Sequence, residues 1–112
     1  MEKKLTPYIQ VVTTLPDRDS AEQLAARLVK DRLAACVQIS HCTSVYRWQG
    51  VIEQGEEQVC LIKSRRDLFP ALYRTIKTLH PYEVPEILAS PVIDGGSEYL
   101  DWLEQELRPA PE

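Results

Sequence analysis

The sequence is poor in cysteine, and its three cysteines, Cys36, Cys42 and Cys60, form no Cys-x-x-Cys pair. This excludes a zinc knuckle and a thioredoxin-like site, and an odd number argues against a disulfide framework. No stretch approaches the ~20 consecutive apolar residues of a membrane helix, so no membrane insertion is expected. The start, Met1-Glu2-Lys3-Lys4-Leu5-Thr6-Pro7, has no apolar run after its lysines and does not read as a signal peptide, so a cytoplasmic location is expected. Positive charge is also short. Lys and Arg total 13 against 17 Asp and Glu, a net charge of -4, which argues against a nucleic-acid partner. Thr13 to Asp19 contains no glycine and so offers no phosphate cradle, and no Ser-His-Asp or Cys-His order is visible. A non-enzymatic role without an organic cofactor is the expectation.

What is present fits one globular domain spanning 1–112, with a core over about 8–107 and a frayed tail over 108–112. Hydrophobic residues make up 44% and charged residues 27%. Tyr8 to Thr14 is rich in β-branched residues and reads as a strand, with Ile9, Val11 and Thr13 on one face. Ser20, with Gln23 completing a capping box, can start a helix, and Asp17 is the alternative cap. Ala21, Leu24, Ala25, Leu28 and Val29 then follow helical spacing, with Arg27, Lys30 and Arg32 late in the helix. A second strand begins at Ala35 to Ile39 and continues, through a bend, over Thr43 to Trp48. Gln49-Gly50 is a two-residue turn candidate. Gln54 to Glu57 reads as a bulge around Gly55. Val59 to Lys63 reads as a central strand buried on both faces.

Asp67 can cap a second helix with Pro70 in its first turn and Phe69, Leu72, Tyr73 and Ile76 as its buried stripe. A fourth strand over Glu86 to Val92 and a last helix capped by Ser97 complete the chain. The order β-α-β-β-α-β plus a C-terminal helix predicts an α+β, ferredoxin-like fold. Its helices would cover one face of the sheet. The other face needs a cover, and a second copy of the chain is the cheapest one.

One stretch concentrates polar chemistry: Leu79-His80-Pro81-Tyr82-Glu83-Val84-Pro85-Glu86-Ile87. Pro81 and Pro85 fix their own φ and push His80 and Val84 toward extended conformations, so a stiff, extended lead-in is expected. His80, with Glu83 and Glu86 in support, is the leading candidate metal ligand, since neutral imidazole suits copper(II) and zinc. The structural alternative is a histidine bonded to a backbone carbonyl at a helix end. Cys36 is either a buried small hydrophobe or a thiolate ligand for copper(I). A straight strand puts roughly 20 Å between Cys36 and Cys42, so only a sharp bend would let them share an ion. His41 and Cys42 point to opposite faces of a strand. Tyr46, Trp48, Lys63 and Tyr82 are candidates for the wall of an intersubunit cleft, with interface packing as the alternative.

His80-Pro81-Tyr82-Glu83-x-Pro85-Glu86 closely resembles the motif of the CutA family of divalent-cation tolerance proteins. Val11 to Asp17, Arg32 to Val37, Ser44 to Gly50 and Tyr99 to Trp102 resemble further blocks of that family in the same order. The resemblance runs from about Ile9 to Leu107. It implies a ferredoxin-like subunit similar to the nitrogen-regulatory PII proteins, a cyclic homotrimer, and a role in tolerance of copper or another divalent metal ion. Thr13, Thr75 and Leu79 stand where some relatives carry extra cysteine or histidine. A PII-like trimeric scaffold that binds a small ligand in its clefts is the alternative.

Overall fold

The computed structural model describes residues 6–111. Residues 1–5, on which the reading of the start as no signal peptide rests, and Glu112 of the expected tail lie outside the described residues. Strand β1 spans Tyr8–Leu15, helix α1 Arg18–Lys30, β2 Cys36–Trp48 and β3 Val51–Arg65. A single 3₁₀ turn, Arg66–Leu68, leads into α2, Phe69–Leu79, followed by β4, Leu88–Pro91, and α3, Ser97–Glu106. The strands form one sheet in the order β2-β3-β1-β4, and every pairing is antiparallel. This is the ferredoxin-like α+β arrangement expected from the element order.

Register decides which side chains meet. Val11 faces Ile62 and Thr13 faces Cys60 across β1 and β3, while Val37 faces Ile62 across β2 and β3. These residues form the helix-side face and pack with Ala21, Leu24 and Leu28 of α1 and Leu72 and Ile76 of α2. Burial pushes the Cys60 thiol up to about 11, which makes it an inert core residue. The Thr13 hydroxyl is buried with no hydrogen-bond partner among the described residues.

The opposite face carries Val12, Val59 and Leu61, each only half-buried, and the exposed Leu88. The expected burial of β3 on both faces is therefore not met within one chain. Helix α3 covers only the Tyr8 end, through Leu103 and Leu107. Arg65 fastens that end. Its guanidinium donates to Asp67 at 2.6 Å, Glu104 at 3.2 Å and the Arg108 carbonyl at 2.9 Å. Arg108 in turn donates to the Asp31 carbonyl, so the tail is tied down at its first residue.

Several sequence expectations are corrected. Asp17, extended at φ -149 and ψ 168, caps α1 by accepting from the Ser20 N–H, so Ser20 is not the cap. Arg32 lies past the helix at φ 58, in a C-terminal motif where its N–H donates to the Val29 carbonyl and that of Leu33 to Leu28. Its side chain reaches the Gln105 and Glu106 carbonyls at the end of α3. Asp67 serves Arg65 and caps nothing, and no side-chain cap bond starts α2 or α3. Val29 and Tyr73 are exposed. Strand β4 is shorter than expected.

The β2–β3 hairpin shows the largest departure. β2 is one continuous strand of 13 residues, and its register with β3 runs unbroken from Cys36–Lys63 to Trp48–Val51. Neither the bend nor the bulge at Gly55 exists. Gln49 (φ 50) and Gly50 (φ 81) both take positive φ, as a two-residue hairpin turn requires. Because β1 reaches only to Gln58, residues 42–57 project as a two-stranded ribbon.

Candidate functional site

Helix α2 stops where proline stops it. Pro81 forces His80 to an extended φ -76 and ψ 133, and the His80 N–H closes the last turn on the Ile76 carbonyl at 2.8 Å. The segment then bends over residues 81–84 and is not extended throughout. The bend is held by the histidine ring. His80 Nδ1 accepts from the Tyr82 N–H at 3.1 Å, and Nε2–H donates to the Thr14 carbonyl at 2.7 Å. The ring is buried at 8% exposure and stacks obliquely on Tyr82, with centroids 4.9 Å apart. Tyr82 then donates its hydroxyl to Glu57 at 2.8 Å.

The electrostatics follow from these contacts. Burial holds the His80 imidazole below its ordinary value, although its bond to Thr14 and the nearby Glu57 carboxylate oppose this. Burial pushes Glu57 up, but hydrogen bonds from Ser44, Tyr82 and Thr14, with His80 nearby, leave it below the usual carboxylate range. Burial and the Glu57 carboxylate push the Tyr82 phenol far up, so it remains a donor.

A cavity of about 450 Å³ opens beside this network. Tyr46 and Trp48 of β2 and Tyr82 supply aromatic walls. Glu57 of β3 and Glu83 and Glu86 of the proline segment supply carboxylates, and Thr14, Pro81 and Val84 complete the lining. The register puts Thr14, Tyr46, Trp48 and Glu57 on the sheet face turned away from α1 and α2.

The fold thus brings together Tyr46, Trp48, Tyr82, Glu83 and Glu86 of the candidate residues. Lys63 does not join them, because it sits farther up β3 opposite Gln10 and Cys36. Cys36 is half-buried near Tyr99 of α3. With β2 straight, Cys36 lies roughly 20 Å from Cys42 and the two cannot share an ion. His41 is directed away from Cys42, with its Nε2 2.8 Å from a Glu56 carboxylate oxygen. Both His80 nitrogens are engaged by the chain itself, which matches the structural alternative for this residue. Among the described residues no group of three or more His, Cys, Asp or Glu could hold a metal ion. Glu57 was missed by sequence reasoning because its stretch read as a bulge. Continuing the alternation of Val59, Leu61 and Lys63 back by one step would have placed it on the open face.

The network makes stability pH-dependent with a defined sign. The unfolded chain protonates His80 first, so the stability tied to the neutral ring is complete above about 6.5 and declines as pH falls from there. The Glu57 contribution is complete above about 4.5 and is lost below it. Urea midpoints are therefore expected to fall between pH 7 and 5 and again below 4.5. Glu57→Gln should remove much of the lower step. Midpoints that rise as pH falls from 7 to 5 would contradict the neutral, buried ring.

Comparison with known proteins bears on the same span. The family model described as CutA1 divalent ion tolerance protein matches residues 9–106. The divalent-cation tolerance protein CutA of Thermus thermophilus is 47% identical over 96 residues, covering 85% of this chain and 93% of that one. The crystal structure of CutA1 from a psychrotrophic Shewanella superposes with a TM-score of 0.90 at 38% identity, covering 95% of this chain and 100% of that one. A protein described as a periplasmic divalent cation tolerance protein CutA, from Archaeoglobus fulgidus, gives 0.88 at 34% identity, covering 90% and 99%.

Proposed function

Because this chain belongs to the CutA1 divalent ion tolerance family, we propose that it serves divalent-cation tolerance, copper among the cations, as a homotrimer that binds its ligand in the cleft beside Tyr82. The observation that carries this reading is the projecting ribbon of residues 42–57. Val45 and Ile52 stand exposed on one of its faces, and Tyr46, Trp48 and Val51 on the other. One chain cannot cover the Val45–Ile52 face, whereas a neighbouring copy around a threefold axis can, which leaves the Tyr46–Trp48 face to line the cleft. The three free thiols fit a reducing, cytoplasmic setting. Growth tests the role directly. Cells deprived of the protein should stop growing at lower copper concentrations and recover when it is resupplied. Unchanged copper sensitivity would contradict the reading.

Direct metal binding is weak in this account. Glu83 and Glu86 are exposed at the cleft. His80 joins them only by releasing the Tyr82 N–H from Nδ1, and Cys36 would serve a separate site. Calorimetric titration of the reduced protein with copper(II) should give micromolar or weaker affinity, and His80→Ala should weaken it about tenfold. If His80→Ala binds copper(II) like the parent, the histidine leaves the metal reading. The cavity itself favours a second reading, in which the cleft takes a small organic ligand.

A further inference from the structure

The cleft has three properties that together select a ligand class. The first is size: about 450 Å³ suits a small organic molecule and far exceeds a bare ion. The second is charge. Three carboxylates line the cavity, and no Lys, Arg or His among the described residues does. An anionic ligand such as a nucleotide would meet repulsion from these carboxylates, and Lys77, whose ammonium bonds the Glu83 carbonyl at 3.0 Å, does not line the cavity. Glu57 keeps its charge at neutral pH, because three hydroxyls hold its carboxylate low. The third is surface. Tyr46, Trp48 and Tyr82 come from two different elements to line one space. Tyr82 is fixed at both ends, by its N–H on His80 and its hydroxyl on Glu57.

A divalent metal ion does not match this set. It needs several donors converging at about 2.0–2.6 Å, and no such group is assembled among the described residues. An ammonium head needs no such convergence. Aromatic faces attract it, and carboxylates at longer range add to the attraction. We propose that the cleft binds a free organic ammonium ion, an amine or methylated amine held between the rings of Tyr46, Trp48 and Tyr82 and the carboxylates of Glu83 and Glu86. This rests on the reading of the cleft as the functional site and names the chemistry of its ligand.

The test is a titration of the purified, full-length oligomer with choline, putrescine and 3,3-dimethylbutan-1-ol. The last is choline with its charged nitrogen replaced by carbon. Binding is followed by calorimetry and by the indole N–H resonance of Trp48. Choline and putrescine should bind, and the neutral isostere should bind at least about tenfold more weakly. Glu83→Gln/Glu86→Gln, made at exposed positions, should weaken choline about tenfold without changing the oligomeric mass. Equal binding of the neutral isostere overturns the proposal, as does a double variant that binds choline like the parent. Absence of choline and putrescine binding also overturns it, and a basic side chain from a second copy then becomes the occupant. Phosphatidylcholine vesicles should not retain the protein, and retention would replace the free ion by a lipid head. Copper-dependent growth is measured separately, so the ammonium proposal can fail while the tolerance role stands.

Discussion

The double variant Val45→Asp/Ile52→Asp is expected to sediment as a single chain. Both side chains are exposed in the isolated subunit, at 63% and 65%, and they share one face of the ribbon. Full burial of an aliphatic side chain contributes about 1.5–3 kcal/mol. In the proposed trimer the variant would remove two such contributions from every subunit and bury two unpaired carboxylates in their place, adding a cost of several kcal/mol. Few interfaces withstand a loss of that size. Light scattering of the variant at micromolar concentration would measure it. A mass unchanged from the parent would mean that this face of the ribbon makes no subunit contact.

Replacing His80 by alanine is expected to cost about 2–3 kcal/mol of stability, while Tyr82→Phe costs about 1 kcal/mol. The histidine ring carries two hydrogen bonds, to Thr14 and Tyr82, and fills a buried position. The tyrosine hydroxyl carries one, to Glu57, in a less buried place. Urea unfolding at matched protein concentration would rank the two, since the proposed assembly would make the midpoint depend on concentration. Ordinary surface substitutions change stability by up to about 0.5 kcal/mol. A loss for His80→Ala within that range, or the reverse order of the two variants, would mean that the ring does not organise the segment.

The physical reasons for what was legible differ from residue to residue. The stripe of Ala21, Leu24 and Leu28 and the strand face of Ile9, Val11 and Thr13 are legible because burial repeats with a fixed period, and a period survives local exceptions. Gln49-Gly50 is legible because few residue pairs tolerate two positive φ values. Caps are less so. Asp17, Ser20 and Asp67 all have capping oxygens, and tertiary partners such as Arg65 decide which are used. Arg32 at positive φ gave no warning, because its compensation comes from the end of α3, distant in sequence. Gly55 suggested a bulge, yet on a ribbon open to both sides a glycine fits an unbroken register. In the site, Tyr46, Trp48 and Tyr82 were found through residue type. Glu57 was hidden by the bulge assumed at Gly55, and the displacement of Lys63 follows from the pairing of β3 with β1, a strand distant in sequence.

The chain folds as an α+β unit whose ribbon and open sheet face find no cover among the described residues, and whose cleft runs from Thr14 and Glu57 at the base of that ribbon to Trp48 beside its turn. Sedimentation equilibrium of the unmodified protein at micromolar concentration tests this most directly. The account predicts a single species with three times the 12.8 kDa chain mass, unchanged on tenfold dilution. A monomer would contradict it, and a dimer would rule out the threefold arrangement.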